Sequence, residues 1–378
     1  MPVRDVIVAG AGPSGSYLSY ALSKKGYDVL NLEDHPEVGR PVECTGVVTE
    51  RVFRFVRSKS IANRVRGAYV YFPDSEPMHI RKNEETIVIY RDSFDKDVSA
   101  MAVGEGTDLR VNSRLTGVKI HEDCAEVTYR ENGQIRTEKT RIVIGADGAN
   151  SVVRKDLYEE RPKRIVSTYQ VDSAVRMEDQ ESVSVYLGSE NSKGFFAWAV
   201  PTGNITRIGL GTLGSGARGY YRALEKHFPV DRVVGITGGP IPISYLKRTY
   251  GNRSLLIGDA AGIVKPLTGG GIYTGIVSAR HAFRAVDEAL ENDSFTQEFL
   301  SRYQKYWKDD IGRELFIDGL IQKFFARLSD RSLKAVYKVL SSPDIIGRIN
   351  SIGDIDYPSK LVFSVLLKHP SILLNALV

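Results

Sequence analysis

The stretch DVIVAGAGPSG, residues 5–15, decides the fold. From Asp5 to Ala9 runs a β-branched segment of the kind that forms a parallel strand buried on both faces. Gly10-Ala11-Gly12-Pro13-Ser14-Gly15 follows as G-x-G-x-x-G, and the spacing from about Ser14 to Lys25 predicts an amphipathic helix that Gly26 stops. Strand, glycine turn and helix in that order make a phosphate cradle. The first glycine permits the tight turn, the second lets a pyrophosphate approach the backbone, and the third lets helix pack on strand. Amides at the helix N-terminus then face the anion. YDVLNLE reads as a second strand, and Glu33 ends it 18 residues after Gly15, near the ~20-residue offset of a ribose-binding carboxylate. A carboxylate there accepts hydrogen bonds from a ribose diol and repels a 2′-phosphate. The expected nucleotide is therefore FAD or NAD.

At 378 residues the chain suits two or three packed lobes. Its 42% hydrophobic and 26% charged residues are ordinary for a globular enzyme. A net charge of +5 favours approach to an anionic substrate or membrane face, but is too small to imply nucleic acid. The two cysteines, Cys44 and Cys124, could form one bridge at most, which fits a reducing cytoplasm. The N-terminal apolar stretch leads straight into the glycine motif and reads as a strand, not a signal peptide. No uninterrupted apolar run reaches the ~18–20 residues of a membrane span.

Further along, AYVYF and TIVIY alternate in the manner of antiparallel strands between about Val65 and Tyr90. A helix containing FDKDVSAMAV, short strands, and the strand RIVIGADGANS follow. A second antiparallel region spans about Arg164 to Ile243. RSLLIGDAAG is a third buried strand, ahead of a long helix from about Gly271 to Glu291, and the remainder is mostly helical.

FAD is separated from NAD by IGDAAGIVKPLTGGGIYTG. A simple dehydrogenase would complete its sheet in one block, whereas here the decisive strand returns late in the chain. It delivers Asp259 toward a ribityl or pyrophosphate region. Gly269-Gly270-Gly271 then opens a helix whose positive end could face the N1/O2 edge of a flavin. The expected fold is α/β (α+β overall): a Rossmann-like FAD-binding domain, an inserted antiparallel β-sheet substrate domain and a C-terminal helical segment. The expected division is 1–64, 91–163 and 246–300 for the FAD domain, 65–90 and 164–245 for the substrate sheet, and 301–378 for the helical region.

GAGPSG, Glu33, RDSFD from Arg91, GADG and GDAAG make the chain similar throughout to FAD-dependent oxidoreductases of the p-hydroxybenzoate hydroxylase fold. Within them it most resembles the geranylgeranyl reductase family, especially the archaeal digeranylgeranylglycerophospholipid reductases, through PVECTG (P-x-x-C-x-G) and PLTGGGI. A third family signature, Y-x-W-x-F-P-K with a following glycine, is altered here to Phe196-Ala197-Trp198-Ala199-Val200-Pro201-Thr202. Trp198, Pro201 and Gly209 match it, while Phe196, Val200 and Thr202 depart.

The resemblance implies FAD contacts from Gly10, Gly12, Ser14 and Gly15 at the pyrophosphate, Glu33 at the ribose, Arg91 near the phosphates and Leu115 at the adenine. It places Asp259, Gly271 and Ile272 at the flavin end, and Arg40, Cys44, Thr45 and Val47 of the cysteine segment beside the cofactor. Phe196, Trp198 and Pro201 are implied at the substrate cavity, with Val70, Phe72 and Phe195 as further wall residues. Arg91 opens a helix and can neutralise a diphosphate; the alternative is a surface ion pair with Asp95. Asp147 of GADG reads either as a second cofactor fingerprint or as turn chemistry. Cys124 reads as structural, His281 has no evident partner, and no metal set is expected.

The implied activity is saturation of C=C bonds of geranylgeranyl chains in archaeal-type ether lipid precursors or related isoprenoids, by hydride from reduced flavin N5 plus protonation. An isolated alkene has no carbonyl to activate it, so the proton must be well placed and the cavity dry. Cys44 is the candidate to donate that proton, to touch the flavin or to tune it. A flavin-dependent monooxygenase acting on a small aromatic and a flavin electron-transfer protein are the other readings. With one GxGxxG and no C-x4-C pair, a pyridine-nucleotide disulfide reductase is excluded, and NAD(P)H or a ferredoxin-like protein is the expected donor. From about Leu320 to Leu340, apolar residues follow helical spacing with Lys323, Arg327, Arg331, Lys334 and Lys338 on another face. That stretch would suit either peripheral contact with an anionic membrane or a helix covering the core. KLVFSVLLKHPSILLNALV is interrupted by Lys368-His369-Pro370 and cannot be a single span.

Overall fold

Val3–Ala9 is the central strand of a parallel sheet, flanked by Val29–Leu32 on one side and the end of Gln134–Gly145 on the other. The computed structural model describes residues 3–226, 228 and 232–368. Among these residues the sheet has eight strands. Asp108–Arg110 extends one side and Ser254–Leu256 the other, both parallel to their neighbours. Val6, Ile7 and Val8 are fully buried, as a strand covered on both faces requires. Helices Pro13–Lys25, Arg91–Gly104 and Ile272–Glu291 pack together. Gly26 ends the first of them in the left-handed region, with φ of 100°. The carboxyl ends of the central strands converge on one crevice, where open α/β sheets place their ligands.

The second sheet holds nine strands among the described residues. Ile165–Ser173, Thr206–Leu213, Ala197–Pro201 and Ser182–Tyr186 run antiparallel in that order. Ser182–Tyr186 then joins Ile61–Tyr71 in parallel, which fuses the two inserted segments into one surface. The expected boundary at residue 65 lies too late. Val47–Thr49 already pairs with Met78–Ile89 as an edge strand of this sheet, and Ile61–Tyr71 begins before residue 65. Three consecutive β-strand formers beside a Gly46 that can turn the chain make that early crossing possible.

The stretch from Leu320 to Leu340 is two helices, Arg313–Phe325 and Asp330–Leu340. Ser329 separates them, accepting the Ser332 amide as an N-cap. Their apolar residues, Phe324, Phe325, Leu328, Leu333 and Val336 among them, face a cavity inside the protein. Lys323, Arg327, Arg331 and Lys338 are exposed, while Lys334 pairs with Asp74 at 2.6 Å. The helix Ser359–Lys368 carries the first half of the C-terminal apolar run; His369 and Pro370 lie outside the described residues.

A buried ion pair ties this helical region to the rest. Asp356 Oδ1 accepts from Lys265 Nζ at 2.8 Å, and its Oδ2 accepts from Thr49 Oγ1 at 2.6 Å and Arg51 Nη1 at 3.2 Å. Removing one partner of a buried pair strands the other charge, at a cost of roughly 3–5 kcal/mol. Asp356→Ala is therefore expected to lower stability by about 3 kcal/mol, read as a shift of the urea midpoint at unchanged slope.

Candidate cofactor and substrate site

The glycine turn is shaped by what a side chain would strike. A Cβ on Gly10, whose φ is 97°, would lie 2.5 Å from the Ala146 carbonyl oxygen, and one on Gly15 would lie 2.0 Å from that of Gly10. A Cβ on Gly12 meets nothing within 4 Å, so its backbone lies open to the cavity. Gly15 lies behind the residues that line the cavity, where its absent side chain lets the helix pack against the strand end. Ser14 lines the crevice, and its Oγ fills space left by Gly258 and Gly275. The first turn of the helix holds no acidic residue to compete with an anion.

Glu33 is buried beside this turn. Its Oε2 accepts from the Ala11 amide at 2.9 Å, and its Oε1 accepts from the His35 amide at 3.1 Å and contacts His35 Nδ1 at 2.7 Å. Those contacts aim the carboxylate along the crevice. Leu115, in the strand Ser113–Ile120, lines the same end.

Arg91 is not a surface residue. Its guanidinium forks onto Asp95 at 3.0 and 2.8 Å and lines the cavity. Burial opposes its charge, but Asp95 and the neighbouring Cys44 sulfur hold it above its usual range. Burial likewise raises Asp95 against the attraction of Arg91. Asp147 performs the turn chemistry expected of GADG. Its Oδ2 caps the helix Val152–Leu157 through the Val152 and Val153 amides at 2.6 and 3.2 Å, while Oδ1 is buried at the cavity with no partner.

At the far end of the crevice, Gly271 precedes the 20-residue helix Ile272–Glu291, and both Gly271 and Ile272 line the cavity. A Cβ on Gly271 would lie 2.8 Å from Asp259 Oδ1. Burial pushes the Asp259 carboxyl up to about 6, opposed by Arg91. Because the folded value exceeds the unfolded one of ~3.9, ionised Asp259 destabilises the fold. That penalty is absent below about pH 4 and complete above pH 6. Asp259→Asn is thus expected to stabilise the cofactor-free protein by about 2–3 kcal/mol at pH 7.5 and by nothing near pH 4, measured by urea unfolding.

The cysteine segment crosses between these ends. Cys44 Sγ accepts the Gly46 amide at 3.3 Å. Thr45 and Val47 line the cavity, and Thr45 Oγ1 donates to Gln170 Oε1 at 2.8 Å. Arg40 sits at the rim, exposed and paired with Asp92 at 3.1 Å. Beyond lies an aromatic wall: Phe196 stacks on Phe195 with centroids 4.4 Å apart and meets Trp198 edge-on at 5.8 Å. Trp198 lies over Gly209, where a Cβ would be 2.8 Å from the indole. Pro201 does not line the cavity. It ends its strand, its carbonyl accepts from Asn63 Nδ2 at 3.1 Å, and Val200 takes the cavity position, as the alternation of strand faces requires. Val70, Phe72 and Phe195 line the cavity as expected.

These parts enclose one cavity of about 1610 Å³, beyond the ~300–1,000 Å³ of a single-ligand pocket. Its nucleotide end is polar and its other end apolar. The sequence reading missed Gln170 and Arg207, which hold the cysteine segment, and the helical region as a cavity wall. It also left His281 unpartnered, whereas its Nε2 lies 2.8 Å from Asp310 Oδ2. Among the described residues no group of three or more His, Cys, Asp or Glu side chains could hold a metal ion.

The open Gly12 backbone, the aimed Glu33 and the orphaned Asp147 oxygen fit a dinucleotide. The family model for the FAD binding domain matches residues 4–219. Digeranylgeranylglycerophospholipid reductase 1 of Methanococcoides burtonii is 30% identical over 362 residues, covering 90% of this chain and 88% of its own. The digeranylgeranylglycerophospholipid reductase of Methanocaldococcus jannaschii is 28% identical, covering 98% of this chain and 97% of its own. The crystal structure of a geranylgeranyl bacteriochlorophyll reductase-like protein of Thermoplasma acidophilum superposes with a TM-score of 0.87 at 25% identity, covering 98% of this chain and 100% of that one. A halogenase in complex with FAD superposes at 0.67 and 14% identity, a likeness of fold alone.

Proposed function

The chain belongs to the FAD binding domain family and, within it, to the group of the digeranylgeranylglycerophospholipid reductases, and from that premise we propose that it saturates C=C bonds of geranylgeranyl chains on an ether lipid precursor or a related isoprenoid. The observation that carries this reading is the single cavity that joins a dinucleotide crevice to an apolar chamber walled by the C-terminal helices. A small aromatic substrate would leave most of that chamber empty.

Gly12 and the following helix N-terminus would hold the pyrophosphate, Glu33 the ribose, and Asp259 with Gly271 the ribityl and ring end. Bound and reduced, FAD supplies a hydride. Cys44 holds the proton at Sγ that reaches the second alkene carbon. The Gly46 amide and the Arg91 guanidinium, both at that sulfur, stabilise it once the proton has left, and solvent protons restore the thiol. Phe196 and Trp198 wall the chain and exclude water around the reacting carbons. A reductant, NAD(P)H or a ferredoxin-like protein, restores the cofactor.

Anaerobic incubation of dithionite-reduced, FAD-loaded protein with digeranylgeranylglyceryl phosphate tests the reading. A mass gain of two hydrogens per bond is expected. Unchanged lipid with substrate-stimulated oxygen uptake in air would replace it with a monooxygenase.

We further propose that the lipid is taken up at a membrane surface; no helix among the described residues is long and apolar enough to cross one. Leu320 and Ile355 line the cavity and yet are 49% and 41% exposed, so they mark its mouth. Phe316, one turn from Leu320, is 57% exposed, with basic Arg313 and Lys323 on the same helix. Apolar rim and basic flank suit an anionic bilayer. Phe316→Ser with Leu320→Ser is expected to cut co-flotation with phosphatidylglycerol vesicles about tenfold.

A further inference from the structure

The cysteine segment is held by a residue that no motif contains. Gln170 lies in the strand Ile165–Ser173, 3% exposed, at the cavity wall. Its Oε1 accepts two hydrogen bonds, from Thr45 Oγ1 at 2.8 Å and from Trp198 Nε1 at 3.2 Å. Its Nε2 donates to Asp172 Oδ1 at 3.3 Å. The amide has only one workable orientation here. An indole N–H can only donate and a carboxylate can only accept, so the oxygen must face Trp198 and the nitrogen Asp172. Thr45 is then obliged to donate its hydroxyl proton to the shared oxygen.

The same strand neighbourhood grips the backbone of the segment. Arg207, 4% exposed, donates Nη1 to the Thr45 carbonyl at 2.5 Å and to the Ile89 carbonyl at 3.0 Å. Its Nε lies 3.9 Å from Asp172 Oδ2, the carboxylate that also receives Gln170. Thr45 is thus fixed by side chain and carbonyl alike, and Cys44 is the residue joined to it. Trp198, on the substrate wall, and Thr45, next to the thiol, meet through one oxygen atom.

We propose that Gln170 is a positioning residue that couples the seat of Trp198 to the placement of the Cys44 thiol. A lipid chain pressing on the indole would be registered at the cysteine segment through the shared oxygen, and an indole out of place would loosen Thr45. The proposal deepens the reading of Cys44 as proton source and rests on it for its catalytic meaning. Its test has a readout that does not depend on alkene reduction.

The experiment is alkylation of Cys44 by iodoacetamide in FAD-loaded protein, followed by mass spectrometry of the Cys44 peptide, with the flavin absorbance monitored throughout. Gln170→Leu is expected to keep the flavin and to raise the labelling rate about tenfold. Trp198→Phe, which keeps a ring and loses the N–H, is expected to raise it severalfold, and Gln170→Leu/Trp198→Phe to match Gln170→Leu alone. Should Gln170→Leu fail to fold, Thr45→Val removes the donor from the other side and is expected to give the same tenfold rise. In steady state Gln170→Leu should lower kcat about tenfold with KM for the lipid within twofold. Unchanged labelling in Gln170→Leu or Thr45→Val, or single effects that multiply in the double variant, would overturn the coupling. If no variant and no wild-type protein reduces the lipid while the labelling pattern holds, the proposed reaction fails and the coupling stands.

Discussion

Glu33→Ala is expected to weaken FAD binding by at least 100-fold. The carboxylate lies beside the glycine turn and receives the Ala11 amide at 2.9 Å on one oxygen and the His35 amide at 3.1 Å on the other, which leaves a lone pair on each for the two hydroxyls of a ribose once the half-exposed His35 ring gives way. Hydrogen bonds to a charged group are worth ~1.5–3 kcal/mol each, so two of them account for roughly 3 kcal/mol or more. The substitution also strips a buried backbone N–H of its partner, a further penalty of ~1–3 kcal/mol on the fold itself. Titration of the apoprotein with FAD, followed by quenching of flavin fluorescence, measures the affinity. Glu33→Gln separates the two contributions: its amide oxygen can still receive Ala11 but its NH2 cannot accept the His35 amide, so stability should return in part while affinity stays at least tenfold low. Wild-type affinity in Glu33→Ala would mean that the ribose is held elsewhere.

Cys44→Ser is expected to leave FAD affinity within a factor of two and to slow alkene reduction by about 100-fold. Proton transfer from a positioned group contributes ~10²–10⁴ to a rate. A serine hydroxyl fits the same space but is a far weaker acid, so it occupies the site without delivering the proton. The Gly46 amide keeps an acceptor, since the hydroxyl oxygen replaces the sulfur that it meets at 3.3 Å. Single-turnover oxidation of the reduced protein by lipid, followed at the flavin absorbance, isolates the step. Unchanged turnover would reduce Cys44 to packing, and loss of the cofactor would make it a binding residue.

The nucleotide half of this site could be read directly from the chain, because its chemistry is local. GAGPSG, Glu33 and the GDAAG–GGG segment each encode a turn, a helix start or a strand end, and those features are fixed by neighbours a few residues away. The substrate half is not local. Gln170 meets Thr45 across 125 residues and Trp198 across 28, and strand alternation predicts a face without predicting what stands opposite it. The same ignorance of partners put Pro201 at the cavity, where Val200 stands. Helical spacing from Leu320 to Leu340 identified the apolar residues but not their destination. A stripe that would suit a bilayer suits an internal chamber equally, and only the turn at Ser329 folds it inward.

The ion pair between Lys265 and Asp356 joins two parts of the protein that are made at different times. Residues 313–368, which wall the apolar chamber, are the last described part of the protein to leave the ribosome. The glycine turn and the strand that leads to Glu33 are made before them. During synthesis the crevice for the nucleotide can therefore exist before there is any chamber to receive a hydrocarbon tail. The contact of Asp356 with Lys265 joins that helical wall to the segment that follows the late strand of the nucleotide sheet. A chain that ends prematurely would keep its nucleotide turn and lack the walls that hold water away from it.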